Sequence, residues 1–150
     1  MSAPHTILLL TRSYLEREGK LNSASTPITP GMLIHVATGG GDKPLVEPHD
    51  TAAAIPEPIM VATELPQRMG SGIDDPYNVA GEVVEYYIPI SGEHLYMFLE
   101  IGGNVAAGAI LESAGDGTLQ AETTGGIFKA LEAVNNSAGS AAARIRVEVL

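Results

Sequence analysis

The chain has 150 residues, with 18 acidic and eight basic side chains and a formal net charge of -10. That length suits one domain that buries roughly 70% of its unfolded surface, and the absence of cysteine excludes disulfides and thiolate metal centres. Nucleic acid as the main partner needs a basic footprint that the sequence lacks, and an anionic membrane surface is disfavoured on the same ground.

Residues 1–25 read as an N-terminal arm. Its apolar run Ile7-Leu8-Leu9-Leu10 is too short for a signal peptide or a membrane span and follows no basic segment. A soluble chain without an export signal is expected. Residues 13–22 carry a helical period, with Tyr14, Leu15 and Leu21 set among Glu16, Arg17, Glu18 and Lys20, interrupted by Gly19. The apolar run reads equally as a strand added to a neighbour's sheet edge or as a first strand inside the same barrel, and the first reading makes residues 1–12 separable from a folded body.

Thr26-Pro27-Ile28-Thr29-Pro30-Gly31 is a turn signal, and Met32-Leu33-Ile34-His35-Val36 follows as a strand. Residues 38–58, rich in Gly, Pro and Ala, read as a surface excursion. Ile59-Met60-Val61-Ala62 is a buried strand, and residues 66–78 form another loop. Residues 82–90 read as a strand, with Pro89 pointing to an edge position. The turn Ser91-Gly92-Glu93 leads to a strand over 94–100, and Gly102-Gly103-Asn104 turns the chain into 105–111. Gly115-Asp116-Gly117 makes a tight turn before Thr118-Leu119-Gln120. Residues 128–134 read as a strand. Residues 142–150 alternate, with Ile145, Val147 and Val149 on one face and Arg144, Arg146 and Glu148 on the other. Many short strands between Gly/Pro turns predict an all-β fold, a small barrel or sandwich with long loops, over residues 26–150.

The candidate chemistry is sparse. His35, His49 and Asp50 show no ligand spacing of the His-x-His or H-E-x-x-H kind, so no metal site is expected. Asp74-Asp75 with Glu82 and Glu85 is the nearest approach to a carboxylate pair. Adjacent aspartates before Pro76 are a turn device, and five Tyr, two Phe and no Trp do not line a saccharide cleft. Gly70-Ser71-Gly72 is not a nucleophile elbow, and Gly39-Gly40-Gly41 lacks the Lys-Ser/Thr ending of a phosphate loop. Neither catalysis nor a cofactor is expected. Tyr86, Tyr87, Tyr96, Met97 and Phe98 exceed what a small barrel easily covers, which points to a homo-oligomer; the alternative is that all five fill the protomer core.

Four stretches resemble the small decoration (cement) proteins of tailed-phage capsids. They are Ile28-Thr29-Pro30-Gly31-Met32-Leu33; Gly72-Ile73-Asp74-Asp75-Pro76-Tyr77 with Ala80-Gly81-Glu82-Val83 after it; Gly108-Ala109-Ile110-Leu111-Glu112-Ser113-Ala114-Gly115-Asp116-Gly117-Thr118-Leu119; and Ala130-Leu131-Glu132-Ala133-Val134, closing with Ala143-Arg144-Ile145-Arg146-Val147-Glu148-Val149. Together they span residues 28–150. The resemblance implies a β-rich body that trimerises on the outer face of the virion shell, with arms reaching over major capsid subunits. It also implies assembly in the host cytoplasm and brings no catalytic motif. The residues expected to touch the shell or a neighbouring copy are Ile7, Leu8, Leu9, Leu10, Arg12 and Tyr14 of the arm, and Ile73, Asp74, Asp75 and Tyr77 of the loop. A rival likeness runs through residues 103–111, which resemble the strand–turn–strand of lipoyl- or biotinyl-type barrels. Such a carrier needs a lysine at an exposed hairpin tip, and Lys20, Lys43 and Lys129 are not flanked as one. That rival would be a binding module without catalysis.

Overall fold

A computed structural model describes residues 3–10, 16–38, 41–65 and 72–150. The described residues form thirteen β-strands and no helix, so the chain is all-β. After β1 (Leu8–Leu10), five strands close into a barrel: β2 (Glu16–Leu21), β3 (Leu33–Thr38), β4 (Leu45–Pro48), β5 (Met60–Ala62) and β6 (Val83–Tyr87). Their order round the wall is β2-β4-β3-β5-β6. The antiparallel pairing of β2 with β6, from Glu16↔Tyr87 to Lys20↔Val83, closes the ring.

The second half supplies β7 (His94–Leu99), β8 (Asn104–Val105), β9 (Ile110–Ser113), β10 (Leu119–Ala121), β11 (Phe128–Ala130), β12 (Val134–Asn135) and β13 (Ala143–Val149). Six strands follow the order β1-β7-β10-β9-β11-β13, and β13 also pairs with β7 from Ala143↔Leu99 to Glu148↔His94. Strands β7, β10, β9, β11 and β13 therefore form a second ring of pairings. β1 adds to it beside the start of β7, at Leu8↔Leu95 and Leu10↔His94.

Two cores result, and strand periodicity explains how one chain fills both. Successive side chains of a strand point to opposite faces. Ile34, Met60, Ala62 and Tyr86 face the barrel interior with Leu21, Val46, Tyr77 and Val84. Their neighbours Leu33, Val61 and Tyr87 face the other core, beside Leu95, Met97, Leu111, Phe128 and Ile145. Strands β3, β5 and β6 are thus a wall shared by both cores.

Several sequence expectations need correction. Residues 16–21 are strand rather than helix, and they are a barrel wall rather than part of an arm. The strand survives its polar composition because only Gly19 and Leu21 are buried in it. Gly19 lets the backbone come close: a Cβ there would lie 3.0 Å from both Pro44 O and Val46 Cγ1. The excursion over 38–58 contains β4, parallel to β2 and antiparallel to β3. The strand over 128–134 stops at Ala130, and Val134–Asn135 pairs with β8 instead. Tyr86, Tyr87, Tyr96 and Met97 are buried within the chain, so they leave no apolar excess for a neighbour to cover.

Candidate functional site

Among the described residues, His35, Glu47 and Asp50 form a close group of ionisable side chains where β3 and β4 meet. Register places His35 directly opposite Glu47. The chain leaves β4 at Pro48 and brings His49 and Asp50 back over the same pair. His35 Nε2 lies 3.3 Å from Glu47 Oε1 and 4.0 Å from Asp50 Oδ1. One ligand atom from each of the three residues falls within 4.8 Å of the others.

Neighbouring groups hold this triangle. Asn22 Nδ2 donates to Glu47 Oε2 at 2.9 Å, which leaves Oε1 turned to His35. Thr51 Oγ1 donates to Asp50 Oδ1 at 2.9 Å. That hydroxyl first, and His35 second, hold the Asp50 carboxyl below its ordinary range. The His49 ring stands edge-on to His35, with centroids 5.6 Å apart and planes at 87°. His49 is buried, with Nδ1 2.7 Å from Ser113 Oγ on β9. Burial pushes its pKa down, the adjacent His35 adds to that, and Asp50 opposes it. Ser113 is fully buried and its Oγ also accepts from Gly115 N at 3.2 Å, so this hydroxyl faces no cleft.

Two open clefts flank the triangle. One of about 260 Å³ is lined by His35, His49, Asp50, Pro56 and Met60, among others. The other, of about 450 Å³, is lined by Pro27, Met32, Glu47, Asp50 and Asp116, among others. Asp50 borders both clefts, and Glu47 borders the second. Sequence spacing missed this cluster because the partners of His35 come from the next strand and the residues after it. Glu47 carried no signal until the β3–β4 register was known.

The expected contact residues are scattered. Ile7 and Tyr77 are fully buried and offer no side chain to a shell or a second copy, which corrects their assignment as contact residues. Ile7 fills the second core, and its carbonyl accepts from Tyr96 N at 2.8 Å. Tyr77 fills the barrel and donates to Thr63 O at 2.7 Å. Leu8 and Leu9 are half-buried, and Leu10 is 50% exposed. Arg12 and Tyr14 lie outside the described residues. Asp75 behaves as the turn device expected of it, Oδ2 accepting from Gly72 N at 2.6 Å. Asp74 is exposed and pairs with Arg144 at 3.1 Å.

Arg144, which pattern alone placed on an outer face, is an organising residue. Its guanidinium lies 3.9 Å over the Phe98 ring. It donates to Pro30 O at 2.7 Å, and to Ile73 O and Asp74 Oδ1. Among the lysines, Lys20 and Lys129 lie within β2 and β11, and Lys43 in the β3–β4 connection is tied to Glu18 at 2.6 Å. Neither a protein-family model nor a curated protein matches this sequence.

Proposed function

We propose that the chain is a decoration (cement) protein that binds the outer surface of a tailed-phage capsid and stabilises the mature shell as a homotrimer. The observation that supports this most is how the stretches quoted for the resemblance join in space. Arg144 of the closing strand ties Pro30 of the first stretch to Ile73 and Asp74 of the second. Gly117 of the third accepts from Leu33 N at 2.8 Å, and its own N–H donates to His49 O at 3.0 Å. Residues distant in sequence are thus tied through a covered seam beneath the exposed Asp74 and Asp116, and such ties preorganise a contact surface.

The surface chemistry is compatible with contact. Leu10, Val36, Ile55, Val79, Ile90, Ile101 and Leu150 are each at least 44% exposed. The charge of -10 repels packaged DNA and suits the outside of a shell. A protein that binds only the expanded shell stabilises it by mass action, and three linked copies multiply weak contacts into avidity. The test is cryo-electron microscopy of purified expanded tailed-phage shells incubated with the chain. Threefold density outside the shell, sized for three 15.6 kDa chains, is expected. Bare shells at saturating protein would refute the proposal.

A further inference from the structure

We propose that His35, Glu47 and Asp50 form a binding site for one divalent transition-metal ion, with zinc the best match to the donors. The donor set is one imidazole nitrogen and two carboxylate oxygens, each a donor type that zinc takes, with ligands about 2.0–2.2 Å from the ion. Calcium and magnesium require six or more oxygen ligands and fit this set less well. Tetrahedral ligands at those bond lengths stand about 3.3 Å apart. His35 Nε2 and Glu47 Oε1 already stand 3.3 Å apart. Asp50 Oδ1 stands 4.0 Å from His35 Nε2, within an ångström of that spacing, and its side chain is 66% exposed on the segment that leaves β4.

Charge and support point the same way. Glu47 and Asp50 bring two carboxylates to one spot on a chain that is already acidic, and a divalent ion cancels their charge where they stand. Each carboxylate has its own outer donor, Asn22 for Glu47 and Thr51 for Asp50, the kind of second layer that orients metal ligands. His49, anchored on Ser113, braces the His35 ring edge-on. Three protein ligands leave at least one position open toward the two clefts, where water or an oxygen ligand from outside completes the coordination. This site does not depend on the capsid reading.

The experiment uses the full chain, stripped with a chelator and titrated with zinc chloride by calorimetry, with the thermal midpoint followed in parallel. One saturable equivalent and a raised midpoint are expected. Both effects should vanish in His35→Ala and in Glu47→Gln. Asn22→Ala, which removes only an outer donor, should weaken binding by about 10- to 100-fold. His94→Ala is the control, because His94 also faces a carboxylate, Glu148, at 3.6 Å; it should bind as the unaltered chain does. Should His35→Ala fail to fold, the Glu47→Gln titration stands, together with imidazole NMR signals of the unaltered chain, where substoichiometric zinc should shift His35 first. The proposal is overturned by no saturable equivalent, by unchanged affinity in Glu47→Gln, or by loss of binding in His94→Ala.

Discussion

The Arg144 guanidinium stands between the two halves of the chain, and its partners differ in worth. Pro30 O and Ile73 O are backbone acceptors in a covered seam, whereas the Asp74 side chain is 84% exposed. Exposed ion pairs contribute about 0–1 kcal/mol, and each buried polar group left unpaired costs about 1–3 kcal/mol. Arg144→Met should therefore lower unfolding free energy in urea by about 2–4 kcal/mol, since it orphans two carbonyls. Asp74→Asn should cost less than about 1 kcal/mol. Equal losses would show that the ion pair dominates.

Glu112 is the second decisive residue. Its carboxylate accepts from Thr123 Oγ1 at 2.6 Å, Gln120 Nε2 at 3.0 Å, Thr124 N at 3.2 Å and Gly125 N at 3.4 Å, which pins the β10–β11 connection. The Thr123 hydroxyl is the largest of the causes that hold its pKa at about 2, below the ordinary 4.5. A folded-state pKa below the unfolded one means stability that is full above about pH 5 and lost as pH falls toward 2. Asp42 and Asp50 are also lowered and act in the same direction. Glu85 and Glu100, raised chiefly by burial, act in the opposite one. The thermal midpoint should thus fall between about pH 5 and pH 2, and Glu112→Gln should flatten that fall. An identical slope in the variant would contradict this role.

At the level of elements, β1 changes what the N-terminus means. An apolar run near a terminus reads equally well as an arm for a neighbour or as a strand at home, and here Ile7 is in the core and Leu8 pairs with Leu95. Ile7→Ala should cost about 2–5 kcal/mol, the range for emptying a buried aliphatic site. Deleting residues 1–12 should destabilise the body itself and speed hydrogen exchange at the Tyr96 amide, which donates to Ile7 O. Unchanged exchange would restore the separable arm.

What could be read from sequence followed the same physics. β13 was legible because Ile145, Val147 and Val149 alternate strictly and all three are buried. β2 was not, because Glu16, Arg17, Glu18 and Lys20 mimic an exposed helix while the packing rests on Gly19 and Leu21. The Gly115 and Gly117 turn was legible, and both residues have positive φ, 89° and 85°. The metal-ligand triangle was not, since it depends on a register that no spacing rule encodes. His35, His49 and Asp50 stand out in the sequence, but Glu47 gains meaning only from its place opposite His35.

For the whole molecule, the shared wall matters most. Leu33, Val61 and Tyr87 serve one core, while Ile34, Met60 and Tyr86 on the same strands serve the other. Neither half can unfold without opening the other, so tyrosine fluorescence and far-ultraviolet circular dichroism should report one coincident urea transition. Two separated transitions would mean independent halves. Such a body suits a load-bearing contact, because it deforms as a unit. The proposed threefold state draws no support from Tyr86, Tyr87 or Tyr96, which are buried within the chain. It rests on the resemblance and on the exposed apolar side chains.

The central proposal is that this body recognises a mature shell rather than capsid protein in any state. Affinity then reports differential binding to two shell conformations. The direct measurement is the number of chains bound per shell, on matched unexpanded and expanded shells, as protein concentration is raised. Saturation in multiples of three on expanded shells, with little binding before expansion, is the expected result. Equal occupancy of both states, or none on either, would contradict it.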